Sequence, residues 1–228
     1  LLADRDRDTR AKAAKAITKT LGDNQRLMTR INNTVIKQKE LEDKWRGYER
    51  PVSSRNVANE VEDEVVKALT DTVTEAFPRI SHRYYAMKAK WMGLEKLEPY
   101  DRNAPLPEAD EAKIPWTEAR DRVLDAYAGF APSMAEIAGD FFTKGWIDSP
   151  VIPGKDAGAF AHPCVPSAHP YVLVNYQGKT RDVMTLAHEL GHGVHQVLAS
   201  EQGYFNGSTP LTLAETASVF GEMLTFQS

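Results

Sequence analysis

The sequence predicts a mainly α-helical protein with a small β-sheet inserted beside one histidine-bearing helix. Three observations predict it. Apolar residues recur at steps of three and four through most of residues 1–146, the period of a helix with one buried face. Proline and glycine then punctuate residues 147–178 so densely that only short strands fit between them. Two more helical patterns follow, the first of them carrying the paired histidines.

The elements read as follows. An alanine-rich helix spans about 3 to 21 and ends at Gly22, a residue suited to the left-handed position after a helix. Asp23 is placed to cap a second helix that runs to about Arg46. Residues 54–77 carry Val57, Val61, Val65, Leu69, Val73 and Phe77, and residues 80–97 carry Ile80, Tyr84, Met87, Trp91 and Leu94. Both spacings predict helices with a core-facing stripe. Four prolines make 98–116 a loop or linker. Helices at about 117–129 and 132–145 start at Thr117 and Pro132. Between the later breakers, Ala157–Ala161 and Tyr171–Tyr176 are the expected strands, the second being rich in β-branched and aromatic residues. The change of texture divides the chain into a helical region, 1–146, and a second region, 147–228, that holds the sheet and the last two helices.

Composition excludes several function classes. The chain has 228 residues, 42% of them apolar, enough for one sizeable core or two small ones. A net charge of −4 offers no basic surface for nucleic acid or an anionic membrane. No apolar run approaches the ~18 residues of a membrane span. The single cysteine, Cys164, rules out an intrachain disulfide framework and fits a reducing, cytoplasmic compartment. The chain begins Leu1-Leu2 and ends at Ser228 inside a helical pattern, so the expectation is a piece of a longer protein, truncated at both ends.

Two signatures compete within residues 176–196. Gly178-Lys179-Thr180 has the look of a phosphate loop. Such a loop needs a glycine five residues earlier, so that backbone N–H groups wrap the phosphates. That position is Leu173, inside an expected strand. Gly178 is therefore read as a strand-to-helix turn and Thr180 as a helix N-cap.

The second signature is His188-Glu189-Leu190-Gly191-His192. Residues four apart lie one turn apart on the same helix face, so both imidazoles reach one ion. Glu189 points about 100° around the axis, beside the ion rather than at it. This is the arrangement of a zinc hydrolase helix, with Glu189 as general base. Gly191 and Gly193 each cost about 1 kcal/mol against alanine in a helix interior, which suggests that something approaches the backbone there.

Zn2+ in a catalytic site takes three protein ligands. His195 lies seven residues after His188, about 10.5 Å along the axis, too far to share an ion with both histidines. Glu215 is the better candidate. It sits on a second helix, Leu211 to about Phe226, with Ser218 and Glu222 on its face and small Ala214, Ala217 and Gly221 permitting close approach. Thr212-x-x-Glu215 also matches a capping box, which would make Glu215 only a helix-start acceptor. Pro210 argues against that, by moving the cap to Thr209. Glu222 is either an acceptor for a ligand imidazole N–H or a solvated glutamate. His195 is either an oxyanion donor or structural. Gly158 and Ala159 lie on a strand whose edge suits pairing with an extended peptide.

LAHELGHGVHQ (186–196) and LAETASVFGEM (213–223) resemble the thimet oligopeptidase-like metallopeptidases, most closely their oligoendopeptidase F branch. PGKDAGAF (153–160), PYVLVNYQG (170–178) and HRYYAMKAKWMGLEKLEPYD (82–101) are similar to further stretches of that branch. The resemblance implies a mainly helical, deep-channelled zinc peptidase that cuts short peptides in the cytoplasm. In it, 1–146 form channel wall and 147–228 the zinc-binding core. It also implies His188, His192 and Glu215 as ligands and Glu189 as base, with residues that steady the transition state lying beyond Ser228. The rival expectations are a catalytically incomplete metal-binding fragment and a zinc exopeptidase, either an aminopeptidase or a dipeptidyl carboxypeptidase.

Overall fold

A computed structural model describes residues 1–107 and 113–228. The fold is mainly helical with one small sheet, as the periodicity predicts. It comprises two compact units, Leu1–Asp110 and Glu111–Ser228. The boundary thus falls inside the expected linker, and the two helices before residue 147 belong to the second unit.

In the first unit, α1 (Arg7–Asp23) is capped by the Asp6 carboxylate, which accepts from the Asp8 and Thr9 amides. Gly22 and Asp23 do not end and restart a helix as expected; both lie within α1, and Asn24 makes the break before α2 (Gln25–Arg46). The left-handed Gly47 ends α2. The helix expected over 54–77 is split into α3 (Ser53–Ala58) and α4 (Asp63–Ala76) by a turn with Glu60 at φ 51°. Acidic residues explain the restart, since Asp63 and Glu64 occupy the first turn of α4, where the helix dipole favours negative charge. A π-helical turn at Pro78–His82 leads into α5 (Arg83–Trp91). That helix stops short of residue 97 because Gly93, at φ 68°, closes it.

The apolar stripes form on these helices but do not make a core. Val57, Leu69 and Ile80 are each more than 60% exposed. Periodicity reports which face is apolar, not whether anything covers it. Apart from Ala89 and Ala104, the buried side chains among the described residues of this unit are polar or charged. Asp101 accepts from Arg7 Nη2 at 2.9 Å and Arg10 Nη2 at 2.8 Å, tying α1 to the turn at Pro99–Asp101. Burial pushes the Asp101 carboxyl up, but the two arginine hydrogen bonds outweigh it and hold the group well below the usual carboxylate range.

The second unit has an apolar core. Helices α6 (Trp116–Phe130) and α7 (Pro132–Thr143) pack with α8 (Thr180–Ala199) and α9 (Leu211–Gln227) around Val123, Tyr127, Phe141, Leu186 and Leu190. Each fully buried Leu contributes about 1.5–3 kcal/mol. Strands β1 (Ile147–Asp148), β2 (Phe160–His162) and β3 (Tyr171–Leu173) form a sheet in the order β1-β3-β2. β1 is parallel and β2 antiparallel to β3. The sequence missed β1, which is only two residues long, and placed β2 three residues early at its start.

Among the described residues, no strand pairs with the edge of β2 that faces away from β3. Val172 and Val174 donate to the carbonyls of Trp146 and Asp148, so their backbone groups serve β1. Alternation turns Tyr171 and Leu173 to β2, where they face His162 and Phe160. The N–H and C=O of Ala161 therefore point away from β3.

Candidate metal centre

The strand-to-helix turn sets α8 in place. Gly178 has φ 87°, and a Cβ there would meet the Ile114 carbonyl oxygen at 3.1 Å. Ile114 N–H donates to Gly178 O at 2.8 Å. Thr180 is not the cap; it is the first helical residue, and Lys179 precedes it. The Asp182 carboxylate does the capping, accepting from the amides of Gln177 and Lys179 at 2.9 Å each. A carboxylate reaching backwards from the third helical position satisfies the N–H of the cap residue itself, the half of a capping box that a hydroxyl at the cap does not supply.

Two glycines let the neighbours of α8 come close. A Cβ on Gly191 would lie 2.6 Å from the Ala217 carbonyl oxygen, so α9 crosses α8 backbone to backbone at this point. A Cβ on Gly193 would lie 2.7 Å from the Phe141 ring. From α6, the buried Tyr127 hydroxyl donates to the Ala187 carbonyl at 2.6 Å, one residue before His188. Sequence reading assigned Tyr127 no role; its only signal was a helix face shared with Val123.

The crossing brings Glu215 to the histidines. Its Oε2 lies 3.2 Å from His188 Nε2 and 3.6 Å from His192 Nε2. Ligand atoms of all three residues lie within 4.8 Å of one another, making them a group able to hold a metal ion. The donor set, two imidazole nitrogens and one carboxylate oxygen, is that of a catalytic zinc site and suits a borderline-soft divalent ion. Thr212 is helical rather than a cap, because α9 begins at Leu211 with Pro210 before it.

Two further side chains orient the group. His188 Nδ1 lies 3.2 Å from Glu222 Oε2. With Glu222 ionised, Nδ1 carries the proton and Nε2 keeps its lone pair toward Glu215 and His192. Ser218, fully buried, donates to Glu215 Oε2 at 2.8 Å. The sequence placed Ser218 on the right face without giving it a task.

Glu189 is buried, and its Oε2 has no hydrogen-bond partner among the described residues. Burial pushes its pKa up to about 7; His188 opposes the rise and Glu215 adds to it. Burial likewise pushes the His192 imidazole down, partly offset by Glu215. Gly158 and Ala159 share a cavity of about 490 Å3 with His188 and Glu189. Asn175 Nδ2 holds the loop before β2 by donating to the carbonyls of Asp156 and Gly158 at 2.9 Å each. His195 lines a different, apolar cavity with Leu213, Phe220 and Met223.

Comparison with known proteins identifies the family of the chain. The model of peptidase family M3 matches residues 1–123 and 125–228. The chain belongs to peptidase family M3. It is 30% identical over 223 residues to the group B oligopeptidase PepB of Streptococcus agalactiae, covering 97% of this chain and 37% of that protein. It is 27% identical to the chromosomal oligoendopeptidase F of Lactococcus lactis subsp. cremoris, covering 97% of this chain and 36% of the relative. A crystal structure from Chlamydophila abortus, described as a peptidase, superposes with a TM-score of 0.77 at 26% identity, over 99% of this chain and 38% of that one. The chain thus spans little more than a third of these relatives, and the resemblance to the oligoendopeptidase F branch extends along nearly all of it.

Proposed function

We propose that the chain carries the zinc site of a metallo-endopeptidase that hydrolyses peptide bonds in short peptides. His188, His192 and Glu215 are its metal ligands and Glu189 its general base. The observation that carries the reading is the convergence of Glu215 Oε2 on His188 Nε2 and His192 Nε2 from a separate helix. Glu189 is buried next to that group. When bound, a divalent ion such as Zn2+ supplies Lewis acidity and brings the pKa of a water toward neutrality.

The protein's own residues do the rest. Glu222 fixes the tautomer of His188, and Ser218 fixes the carboxylate of Glu215. Glu189 Oε2, beside the ligand His188 in sequence and with no hydrogen-bond partner among the described residues, accepts a proton as water adds to the scissile carbonyl. It returns that proton to the amine nitrogen as the C–N bond breaks. A peptide backbone pairs along the open edge of β2. The Ala161 carbonyl there already accepts from Gln196 Nε2 at 3.2 Å, and the Gly158 carbonyl from Asn175 Nδ2 at 2.9 Å, so the peptide would pair with the backbone of Ala159, just ahead of β2. We assign the protein to the cytoplasm, a compartment that its single unpaired cysteine fits.

Elemental analysis of the wild type and Glu215→Ala tests the metal site. One zinc per chain is expected in the first and a large loss in the second. Cleavage of a quenched fluorescent peptide by the complete protein tests the activity. Glu189→Gln is expected to keep its zinc and lose turnover by a factor of roughly 10^2–10^4; a variant that still cleaves at the wild-type rate removes Glu189 from the role. Mass spectrometry of the products separates internal cleavage from end-trimming.

A further inference from the structure

The cavity that holds His188 and Glu189 is lined by three acids, Asp182, Glu189 and Glu222, and by one basic side chain other than histidine, Arg181. The acids have their own tasks. Asp182 caps α8 and Glu222 faces His188. Arg181 is exposed, and no hydrogen bond or ion pair of its guanidinium occurs among the described residues. It stands four residues before Thr185 and seven before His188, so the three share one face of α8.

Register gives this cation a definite place along a bound peptide. Seven helical residues span about 10 Å, the length of about three residues of extended chain. The loop entering β2 meets the Arg181–His188 stretch, while Ala161 meets Gln196, so β2 and α8 run in the same sense. A peptide pairing antiparallel with the open edge of β2 passes Glu189 and then carries its C-terminal end toward Arg181.

We propose that Arg181 receives a substrate carboxylate about three residues from the scissile bond. The site then selects short peptides that place a C-terminal carboxylate, or an acidic side chain, at that distance. This rests on the peptidase reading above. A guanidinium pairs with a carboxylate through two parallel N–H···O bonds. Without it, the acids lining the cavity would repel such a group.

The test uses the complete, zinc-loaded protein carrying Glu189→Gln, so that peptides stay whole, and reads binding by fluorescence anisotropy. Three labelled probes are compared: a short peptide with a free C-terminus, its C-terminal amide, and the amide with a glutamate near its C-terminal end. The free acid or the glutamate-containing amide is expected to bind about tenfold tighter than the plain amide. Which of the two gains identifies the source of the carboxylate. Adding Arg181→Gln should bring the ratio to about one. Equal binding of all three, no binding of any, or a gap that survives Arg181→Gln overturns the proposal. Parallel cleavage assays with Glu189 intact keep the two readings apart. A binding gap without cleavage sinks the peptidase reading and leaves the carboxylate receptor standing; cleavage without a gap does the reverse.

Discussion

Ser218 donates its hydroxyl to Glu215 Oε2 at 2.8 Å, and the same oxygen lies 3.2 Å from His188 Nε2. A hydroxyl in this position limits the rotation of the carboxylate, which is itself half-exposed and otherwise free to swing. Because Ser218 is fully buried at the crossing of α8 and α9, alanine fills nearly the same volume. Ser218→Ala is therefore expected to fold normally and to weaken zinc binding roughly tenfold. Competition against a chelator measures this, and an unchanged affinity would show that Glu215 needs no such support.

Glu222 acts on the opposite side of the same ligand. Its Oε2 lies 3.2 Å from His188 Nδ1 and so decides which imidazole nitrogen keeps a lone pair. Glu222→Ala is expected to lower zinc affinity by about ten- to a hundredfold. Glu222→Gln should recover part of the loss, because an amide oxygen still accepts from Nδ1–H. If the two variants bind zinc alike, the contact does not set the tautomer.

These contacts show what was legible in the sequence. The pairing of His188 with His192 is local, fixed by helical period alone, and was readable from five residues. Glu215 is 23 residues beyond His192; it was readable because the connection lets α9 fold back beside α8 and, chiefly, because a metal site needs a third ligand, with a capping role as the competing reading. Ser218 shared the correct face, but a serine in a helix has too many ordinary uses to be assigned one. Tyr127 donates to Ala187 across 60 residues of sequence, a separation at which pattern says nothing about which pairs meet. The break at Asn24 was placed at Gly22–Asp23 because a glycine there looked like the stop, and the break at Glu60 was missed because no proline or glycine marks it. The exposed stripes of α3 to α5 were read as core because amphipathicity records a face without recording its cover.

Gly191 tests the closeness of the two ligand helices. A Cβ there would stand 2.6 Å from the Ala217 carbonyl oxygen and 2.9 Å from Ser218 Cα. Both are backbone atoms, so relief requires α9 to move away. Alanine gains about 1 kcal/mol of helix propensity, but overpacking of this kind costs about 1–3 kcal/mol. Gly191→Ala is expected to lower stability by roughly 1 kcal/mol net and, by displacing α9, to weaken zinc binding as well. Thermal melts with and without zinc measure both effects. A variant that melts higher and holds zinc as tightly would mean that the helices have slack.

Asp101 carries the pH prediction for the first unit. Its carboxylate is wholly buried between Arg7 and Arg10, and its pKa is held well below the usual carboxylate range. A group depressed in the folded state contributes stability that is fully present above its unfolded pKa, about 3.9. That contribution fades as pH falls through the folded value. Asp101→Asn leaves Arg10 buried without its counter-charge and is expected to cost roughly 3 kcal/mol at pH 7. The figure is taken at the low end because Arg7 is 41% exposed and can turn to solvent. The gap between wild type and variant in urea unfolding should stay constant from pH 7 to about 5 and narrow below about 4, as the carboxyl takes up its proton in the unfolded wild type while the folded one stays ionised. A gap of the same size at pH 3 as at pH 7 would mean that the ionised form of Asp101 is not what the arginines stabilise.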